Sequence, residues 1–341
     1  MDDDQPEHPA PDGNSDRAAP PPRPGAAIFT IEGRAAPGLF VVGWIASILG
    51  LAFVIVGALT GSPLFFLLLG PGVLSLGLIA GAGNQAIERR ARGEAYAGPS
   101  PWLLFATVFV VARFIAVILG SVLQGFTTRV GATPEGPLVQ LIGASLTAAI
   151  FLGVIRLTVV GSGALSWREM GLRRFDGQAA SDLVLGAVTA LPVIAVTAIL
   201  AAVLVRIFGV VSPSPLPPTG QLSGLLLQLV AGAVIAPVAE EIFFRGFALT
   251  AWQRSLGPGR AIVRATILFT LAHVVDIQGT GFANALALVA VGAGSRVPVA
   301  LALGWLYVRR GSLWAPIGLH ATFNAVLLVI AQLAYNAATP G

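Results

Sequence analysis

Apolar residues occur along most of this chain in runs that are long enough to cross a lipid bilayer as helices. A helix needs about 20 apolar residues to span the hydrocarbon core. Runs close to this length lie at about 38–60, 63–82, 101–124, 136–160, 181–209, 224–247, 261–279, 282–308 and 312–335. The pattern therefore predicts an all-α fold, a polytopic transmembrane helical bundle.

The run at 282–308 is the least regular of these. Small, polar or helix-breaking residues interrupt it: Gly292, Gly294, Ser295, Arg296 and Pro298. Glycine and proline both disfavour the interior of a helix. We therefore predict eight or nine spans, and the lower number omits this run.

Composition places the protein in a membrane and excludes several classes of function. The chain is 55% hydrophobic and 11% charged, with a mean hydropathy of +0.84, which is outside the range of soluble domains. Its net charge of +4 comes with no basic run long enough for a phosphate-binding face, so no nucleic-acid partner is expected. The absence of cysteine excludes disulfides, thiolate zinc sites and a cysteine nucleophile.

Composition also divides the chain into segments. Residues 1–36 are rich in Pro, Asp and Gly and predict a disordered cytoplasmic tail, because they contain too little apolar surface to form a core. We expect N-terminal transmembrane helices at 37–160 and a cytoplasmic amphipathic loop at 161–180. The remaining transmembrane core, 181–335, contains the candidate active site.

Arginines mark one side of the membrane. They follow alternate apolar runs: Arg89, Arg90 and Arg92 after the second, Arg168, Arg173 and Arg174 after the fourth, Arg254 and Arg260 after the sixth, and Arg309 and Arg310 after the eighth. Cytoplasmic connections carry an excess of arginine in multi-pass proteins. The pattern predicts an integral protein of the plasma membrane with a cytoplasmic amino terminus, and nine spans would place the carboxyl terminus outside.

Two adjacent glutamates, Glu240 and Glu241, lie in the apolar run 224–247. Ionised groups at membrane depth are costly and commonly functional. Glu241 and Arg245 are four residues apart, so we predict an ion pair on one helix face. Glu240 points about 100° away around the helix, which leaves it free to act as a general base. Alternatively, the whole cluster is an ion-pair staple between helices.

Two histidines, His273 and His320, also lie inside apolar runs, whereas His8 lies in the tail and is assigned no role. Asn324 follows His320 by one helical turn, and an imidazole and a carboxamide can both donate hydrogen bonds to an oxyanion. Glu240, His273 and His320 each lie about 7–12 residues from the arginine-rich end of their run, or about 10–18 Å deep. This common depth predicts one active site within the bundle, open to the cytoplasmic side.

Three short motifs carry a resemblance to a known family. EEIFFR contains Glu240, Glu241 and Arg245, FTLAH contains Phe269 and His273, and HATFN contains His320 and Asn324. These are similar to the EExxxR, FxxxH and HxxxN motifs of the CAAX-protease and bacteriocin-processing (CPBP) family, whose members resemble the type II CAAX prenyl endopeptidase. The resemblance covers about residues 224–335, and residues 1–100 find no support in it. A ninth span would depart from the eight helices of the family.

The resemblance implies a metal-independent glutamic peptidase that needs no cofactor. By similarity, Glu240 assisted by His273 activates a water, and His320 and Asn324 stabilise the oxyanion. Glu241, Arg245 and Phe269 support the site. The implied partners are membrane lipid and a protein or peptide substrate: a prenylated CAAX protein, a leader peptide and an anchored regulator are all compatible.

A zinc-dependent membrane metalloprotease is the nearest alternative in chemistry. Glu240, His273 and His320 could supply three protein ligands to zinc, with water as the fourth. The chain lacks an H-E-x-x-H helix, which argues against this alternative without excluding it.

A non-catalytic immunity or scaffold protein, or a transporter, is an alternative of a different class. Arg113 in the third run, the break at 292–298 and the Glu–Arg cluster could line a solute path. No inverted repeat accompanies them. We instead expect Arg113 to pair with a carboxylate across the bundle.

Overall fold

The computed structural model describes residues 31–129, 136–212 and 216–339. Most of the predicted tail, together with His8, therefore lies outside the described residues. Within them the chain forms helices and no strand: α1 (Pro37–Thr60), α2 (Leu64–Ala91), α3 (Pro101–Arg129), α4 (Pro137–Val160), α5 (Gly177–Phe208), α6 (Leu222–Leu256), α7 (Pro258–Ala272), α8 (Phe282–Arg310) and α9 (Trp314–Ala338). Helix α5 begins four residues before the 181 boundary that the sequence predicts.

Eight of the described helices, all except α7, are long and apolar enough to cross a membrane. The predicted all-α polytopic bundle is confirmed. Helix α7 has only 15 residues and rises about 22 Å, which is less than the roughly 30 Å hydrocarbon core. Among the described helices, the one too short to span is thus α7 in the run 261–279, whereas the run 282–308, which is the least regular in sequence, forms the long helix α8.

Close packing explains why α8 is continuous through its glycines. A Cβ on Gly294 would lie 2.5 Å from Cδ1 of Leu204 in α5, and one on Gly292 would lie 3.0 Å from Cδ1 of Ile277. At both positions the ends of neighbouring side chains lie close to the helix backbone, so a small residue allows this packing. Packing contacts along 29 residues thus outweigh the local preference of Gly292, Gly294 and Pro298 against helix.

The segment between α7 and α8 has no regular secondary structure. It nevertheless lies at bilayer depth, because α7 ends within the bilayer and α8 crosses it completely. Its backbone groups find local partners, because Val275 N–H donates to the Leu271 carbonyl and Ile277 N–H donates to that of Val274. Irregular backbone is tolerated at this depth where it lies against protein or lines a cavity. This segment begins with His273, so the early end of α7 directly affects the candidate site.

Glycines determine how α1 packs on α2. Gly43, Gly50 and Gly57 are spaced seven residues apart and are the buried residues of α1. A Cβ on Gly50 would lie 2.3 Å from the backbone nitrogen of Leu74 in α2, so only glycine permits this approach. Small residues at membrane interfaces allow such backbone contact. The seven-residue spacing of these glycines is visible in the sequence, but the hydrophobic pattern by itself does not indicate that they lie at a helix interface.

Helix α6 is locally widened on both sides of its two glutamates. It contains π-helical turns at Val230–Ile235 and Ile242–Leu249, with Pro237 between them. A π-turn adds a residue to the helical repeat and is frequent at functional sites. Here the turns rotate the motif relative to an unbroken helix, and every residue of the second turn is buried.

A topology reporter tests the orientation that the arginines predict. A reporter fused at Arg90 or Arg173 is expected to report the cytoplasm, and one at Ser214, which lies outside the described residues, is expected to report the opposite side. If the reporter fused at Arg173 reported the outer side, the predicted orientation would be reversed, and the site would open to the other face of the membrane.

Candidate active site

A fully buried ion pair forms the base of the candidate site. Arg245 Nη1 donates to Glu241 Oε1 at 2.8 Å, as the i,i+4 spacing predicts, and both side chains are inaccessible. Arg245 Nη2 also donates to the Ala300 carbonyl of α8 at 3.3 Å. A buried charge of this kind is stable only when it is paired. The pair therefore holds α6 against α8 at the level of the glutamates.

His320 is bound to the same carboxylate. Its Nδ1 lies 2.7 Å from Glu241 Oε1, and because a carboxylate only accepts, Nδ1 carries the proton. Nε2 then faces Glu240, at 3.8 Å from Oε2. Sequence spacing on α6 and α9 alone could not show this contact, because it joins two helices. Glu241 thus fixes the orientation of His320 as well as that of Arg245.

His273 ends α7 and points its ring at Glu240. Its Nδ1 lies 2.8 Å from the Phe269 carbonyl, which only accepts, so Nδ1 is the donor. In the neutral ring Nε2 is therefore an acceptor, and it lies 3.6 Å from Glu240 Oε2. The helix ends at Ala272, so the imidazole is carried by the first residue beyond it.

Glu240 lies between the two imidazoles. Its Oε2 is buried and has no hydrogen-bond partner in the described part of the protein, while the side chain as a whole is about a quarter exposed. A buried acceptor of this kind needs a donor. A water molecule can donate to Glu240 and to His273 Nε2 together, since both accept. The geometry is therefore suited to holding and deprotonating a water.

Phe269 supports all of these groups. Its ring centroid lies 4.3 Å from that of His273 and 5.7 Å from that of His320. The Arg245 guanidinium carbon lies 4.5 Å from the centroid of the same ring. An aromatic face attracts a cation and restricts neighbouring rings. One phenylalanine thus contacts both imidazoles and the arginine, in keeping with the supporting role predicted for it.

Asn324 has a backbone partner in the other π-turn of α6. Its Nδ2 donates to the Gly232 carbonyl at 2.7 Å. The carboxamide lies one turn beyond His320 on α9, as the spacing predicts, and a second N–H of the same group is available to another acceptor. Asn324 therefore joins α9 to α6, a structural contact that the sequence did not indicate.

Arg296 is a site residue that the sequence reasoning missed. In the sequence it only interrupts the run 282–308, whereas in the fold its guanidinium interacts electrostatically with Glu240. Its Nη1 donates to the Gly292 carbonyl at 2.7 Å. An arginine within an apolar run was the available signal. The site therefore has a second cation near Glu240 in addition to Arg245.

Arg113 forms an ion pair with Asp276, as expected for an arginine that pairs with a carboxylate across the bundle. Arg113 is about 18 Å from the start of α3, a depth similar to that of the segment after α7. The two side chains are 55% and 58% exposed. Asp276 is three residues from His273, so this pair ties α3 to the segment that carries the imidazole.

Neutralising either member of this pair is expected to lower kcat by about tenfold to a hundredfold, because displacement of His273 by as little as an ångström is costly. Arg113→Gln and Asp276→Asn should behave alike. The exchange variant Arg113→Asp/Asp276→Arg should recover part of the activity. Arg129→Gln, on the same helix, is the control. Full activity in both single variants would show that the pair does not position His273.

Among the described residues, no group of three or more His, Asp or Glu side chains is arranged to hold a metal ion. The proposed zinc ligands Glu240, His273 and His320 nevertheless lie near one another, with Glu240 Oε2 at 3.6 Å and 3.8 Å from the two imidazoles.

Residues 222–326 match the family model described as type II CAAX prenyl endopeptidase Rce1-like. No curated protein and no solved structure matches the chain. The matched segment runs from the start of α6 into α9 and contains every residue of the three motifs. The chain therefore carries an Rce1-like domain, consistent with the CPBP family, and the predicted resemblance is confirmed. Together with the membrane-length helices, the match supports a protease that is an integral, multi-pass membrane protein.

Proposed function

We propose that this protein is a CAAX-type intramembrane endopeptidase that hydrolyses a peptide bond in a membrane-associated or lipidated protein. The observation that carries this proposal is the position of Glu240. Its buried Oε2 has no hydrogen-bond partner among the described residues and faces Nε2 of both His273 and His320. The neighbouring Glu241 is already bound to Arg245 and His320. One carboxylate of the pair is therefore available for chemistry, and the other is structural.

In the proposed reaction a water bound between Glu240 and His273 attacks the scissile carbonyl. Glu240 takes the proton as the new C–O bond forms and later transfers it to the leaving amine, when the C–N bond breaks. The products are a carboxylic acid and an amine, and no other reactant is consumed. His273 Nε2 accepts the second hydrogen bond of the water and orients it.

His320 and Asn324 are proposed to stabilise the oxyanion. Since Nδ1 of His320 already donates to Glu241, donation from Nε2 requires the imidazolium form. Glu240 and Glu241 place a carboxylate near each of its ring nitrogens. Asn324 would use the N–H that does not bond to Gly232. Donors aimed at charge that appears in the transition state are among the largest contributions to catalysis.

The location of the site limits the substrates. The catalytic groups lie within or directly after helices of a membrane protein and, by the arginine asymmetry, open to the cytoplasmic side of the membrane. A substrate must therefore be anchored at or in the membrane. A prenylated protein that ends in a CAAX sequence fits this description, and its preference over a leader peptide rests on the description of the matched family.

Comparison of membrane-protein termini tests this function. Cells that express the wild-type chain are expected to contain carboxyl termini that are missing from cells that express Glu240→Gln, and the purified protein should cleave the same substrates. Identical termini in the two kinds of cell would argue against a protease. If Glu240→Gln instead lost solute flux or binding, the transporter alternative or the immunity and scaffold alternative would be favoured.

Activity is expected to survive chelation, since no step in the proposed reaction uses a metal. Purified protein treated with a strong zinc chelator should retain its kcat, and added zinc should not raise it. Turnover that depends on stoichiometric zinc, with zinc lost from both His273→Ala and His320→Ala, would replace the glutamic mechanism by the metalloprotease alternative.

A further inference from the structure

Arg296 is a cation inside the bundle that forms no ion pair with any acidic side chain of the described residues. It lies at the midpoint of α8, and its Nη1 donates to the Gly292 carbonyl of the same helix at 2.7 Å. Arg113 and Arg245, by contrast, each pair with a carboxylate. A guanidinium has five N–H donors, and a cation at membrane depth is costly without a counter-charge. Arg296 is therefore suited to bind an anionic group of a ligand.

The guanidinium lies slightly beyond Glu240, as measured from the arginine-rich ends of the helices. Helices α6 and α8 both end on that side, and Arg245 of α6 reaches the Ala300 carbonyl of α8. Glu240 precedes Arg245 by five residues and Arg296 precedes Ala300 by four, so the two backbones are at a similar level. The Arg296 side chain then extends to Gly292, which is about one turn, or about 5.4 Å, further from the arginine-rich ends.

A serine hydroxyl without a partner lies beside the same glycine. Ser212 follows the end of α5, and its Oγ is buried with no hydrogen-bond partner in the part of the chain that the structure describes. A Cβ on Gly292 would lie 3.2 Å from this Oγ and 3.4 Å from Arg296 Nη1. A buried hydroxyl of this kind needs a partner. The two donors are close enough for one small anionic group to bind both.

A carboxylate is the anionic group that suits these donors. A guanidinium can donate two parallel hydrogen bonds to a carboxylate, and a hydroxyl can donate a third. A protein substrate carries such a group at its carboxyl terminus, where the free chain end can be captured by positioned donors. Because the donors lie beyond Glu240 from the arginine-rich side, a chain that enters from that side reaches them with its end.

The position of the donors also limits the length of the segment that is released. An extended peptide advances about 3.3 Å per residue. An offset of about one helical turn from Glu240 therefore leaves room for about one to three residues between the scissile bond and the terminal carboxylate.

We propose that Arg296 and Ser212 bind the terminal carboxylate of the substrate and so restrict cleavage to a peptide bond close to the carboxyl terminus. This inference rests on the proposed peptidase function and identifies the part of the substrate that the site recognises. Arg296 contacts the substrate away from the scissile bond and takes no part in bond formation or cleavage. It determines specificity, and neither it nor Ser212 belongs to the three motifs.

Two peptides that differ only at the carboxyl terminus test this proposal. Both are farnesylated and end in Cys-Val-Ile-Ala, one as the free acid and the other as the amide. The purified wild-type protein is expected to cleave the acid with a kcat/KM about thirtyfold or more above that for the amide, mainly through KM, because the amide lacks the charge that Arg296 binds. Arg296→Gln should lose this preference, whatever its absolute rate.

Ser212→Ala should lower the preference for the acid by about tenfold, since it removes one hydrogen bond to a charged group. Arg309→Gln, which removes an exposed arginine from the same helix, is the matched control and should keep the full preference. Neither Arg296 nor Ser212 is bound to a side chain of the described residues, so neither variant should lower the melting temperature. A lower melting temperature with an unchanged preference would show that the two residues are structural.

Binding to the inactive Glu240→Gln protein separates this inference from the proposed reaction. Fluorescence anisotropy of the two labelled peptides should show tighter binding of the acid, and Glu240→Gln/Arg296→Gln should bind both alike. Selective binding of the acid with no turnover by the wild-type chain would contradict the proposed reaction alone. Equal cleavage of acid and amide by the wild-type chain, or a preference that Arg296→Gln retains, would overturn the carboxylate site alone. Failure of the wild-type chain to bind either peptide would overturn both.

Discussion

Glu240→Gln is expected to abolish peptide hydrolysis and to leave the melting temperature of the purified protein nearly unchanged. The substitution keeps the shape of the side chain but removes the base that takes the proton from water. Glu240 Oε2 has no hydrogen-bond partner among the described residues, so the substitution breaks no hydrogen bond of that atom. Turnover of a candidate substrate and thermal unfolding of the same preparation provide the two measurements.

Glu241→Gln is the matched variant and should behave differently. It leaves the fully buried Arg245 without its counter-charge and weakens the hydrogen bond to His320. Removal of one partner from a buried ion pair costs about 3–5 kcal/mol. The melting temperature should therefore fall markedly. Equal loss of stability in the two variants would contradict the division of roles within the glutamate pair.

Asn324→Ala is expected to lower kcat by about a hundredfold or more while KM changes little, as for the loss of other oxyanion donors. Asn324→Asp should also be damaging, since an ionised carboxylate would repel both the oxyanion and the Gly232 carbonyl. Steady-state kinetics on purified protein, measured over a range of substrate concentrations, give kcat and KM separately. His320→Ala should show the same bias towards kcat.

The contact between Asn324 and Gly232 offers a purely structural explanation, so a control is needed. Gln332 lies two turns further along α9, is buried, and accepts from the backbone nitrogen of Thr219. Gln332→Ala should lower stability with little effect on kcat. If Asn324→Ala and Gln332→Ala lose stability and activity in the same proportion, Asn324 is structural and the oxyanion role is contradicted.

Local spacing predicted those parts of the site that lie on a single helix. The pairing of Glu241 with Arg245 followed from their separation of four residues, because side chains at this spacing lie on one face. The position of Asn324 one helical turn after His320, on the same face of α9, was predicted in the same way. The grouping of Glu240 with His273 and His320 came from their similar depth, and the structure brings the three side chains together.

Contacts between helices could not be predicted in the same way. The bond from His320 to Glu241, the bond from Asn324 to Gly232, and the pairing of Arg113 with Asp276 depend on which faces meet. Hydrophobic periodicity is weak in a membrane, where lipid and protein interior are equally apolar. A sequence in this setting indicates which residues are at a given depth but not which residues they contact.

The sequence by itself determined the all-α membrane architecture, the motif residues and the resemblance to a protease family. Long apolar runs cannot be stable in water, and polar groups within them are too costly to be incidental. Only the tertiary structure decided that α8 is continuous, that α7 ends at Ala272, and that Glu241 binds both Arg245 and His320. These features depend on packing between segments that are distant in sequence, and such packing overrides local preferences.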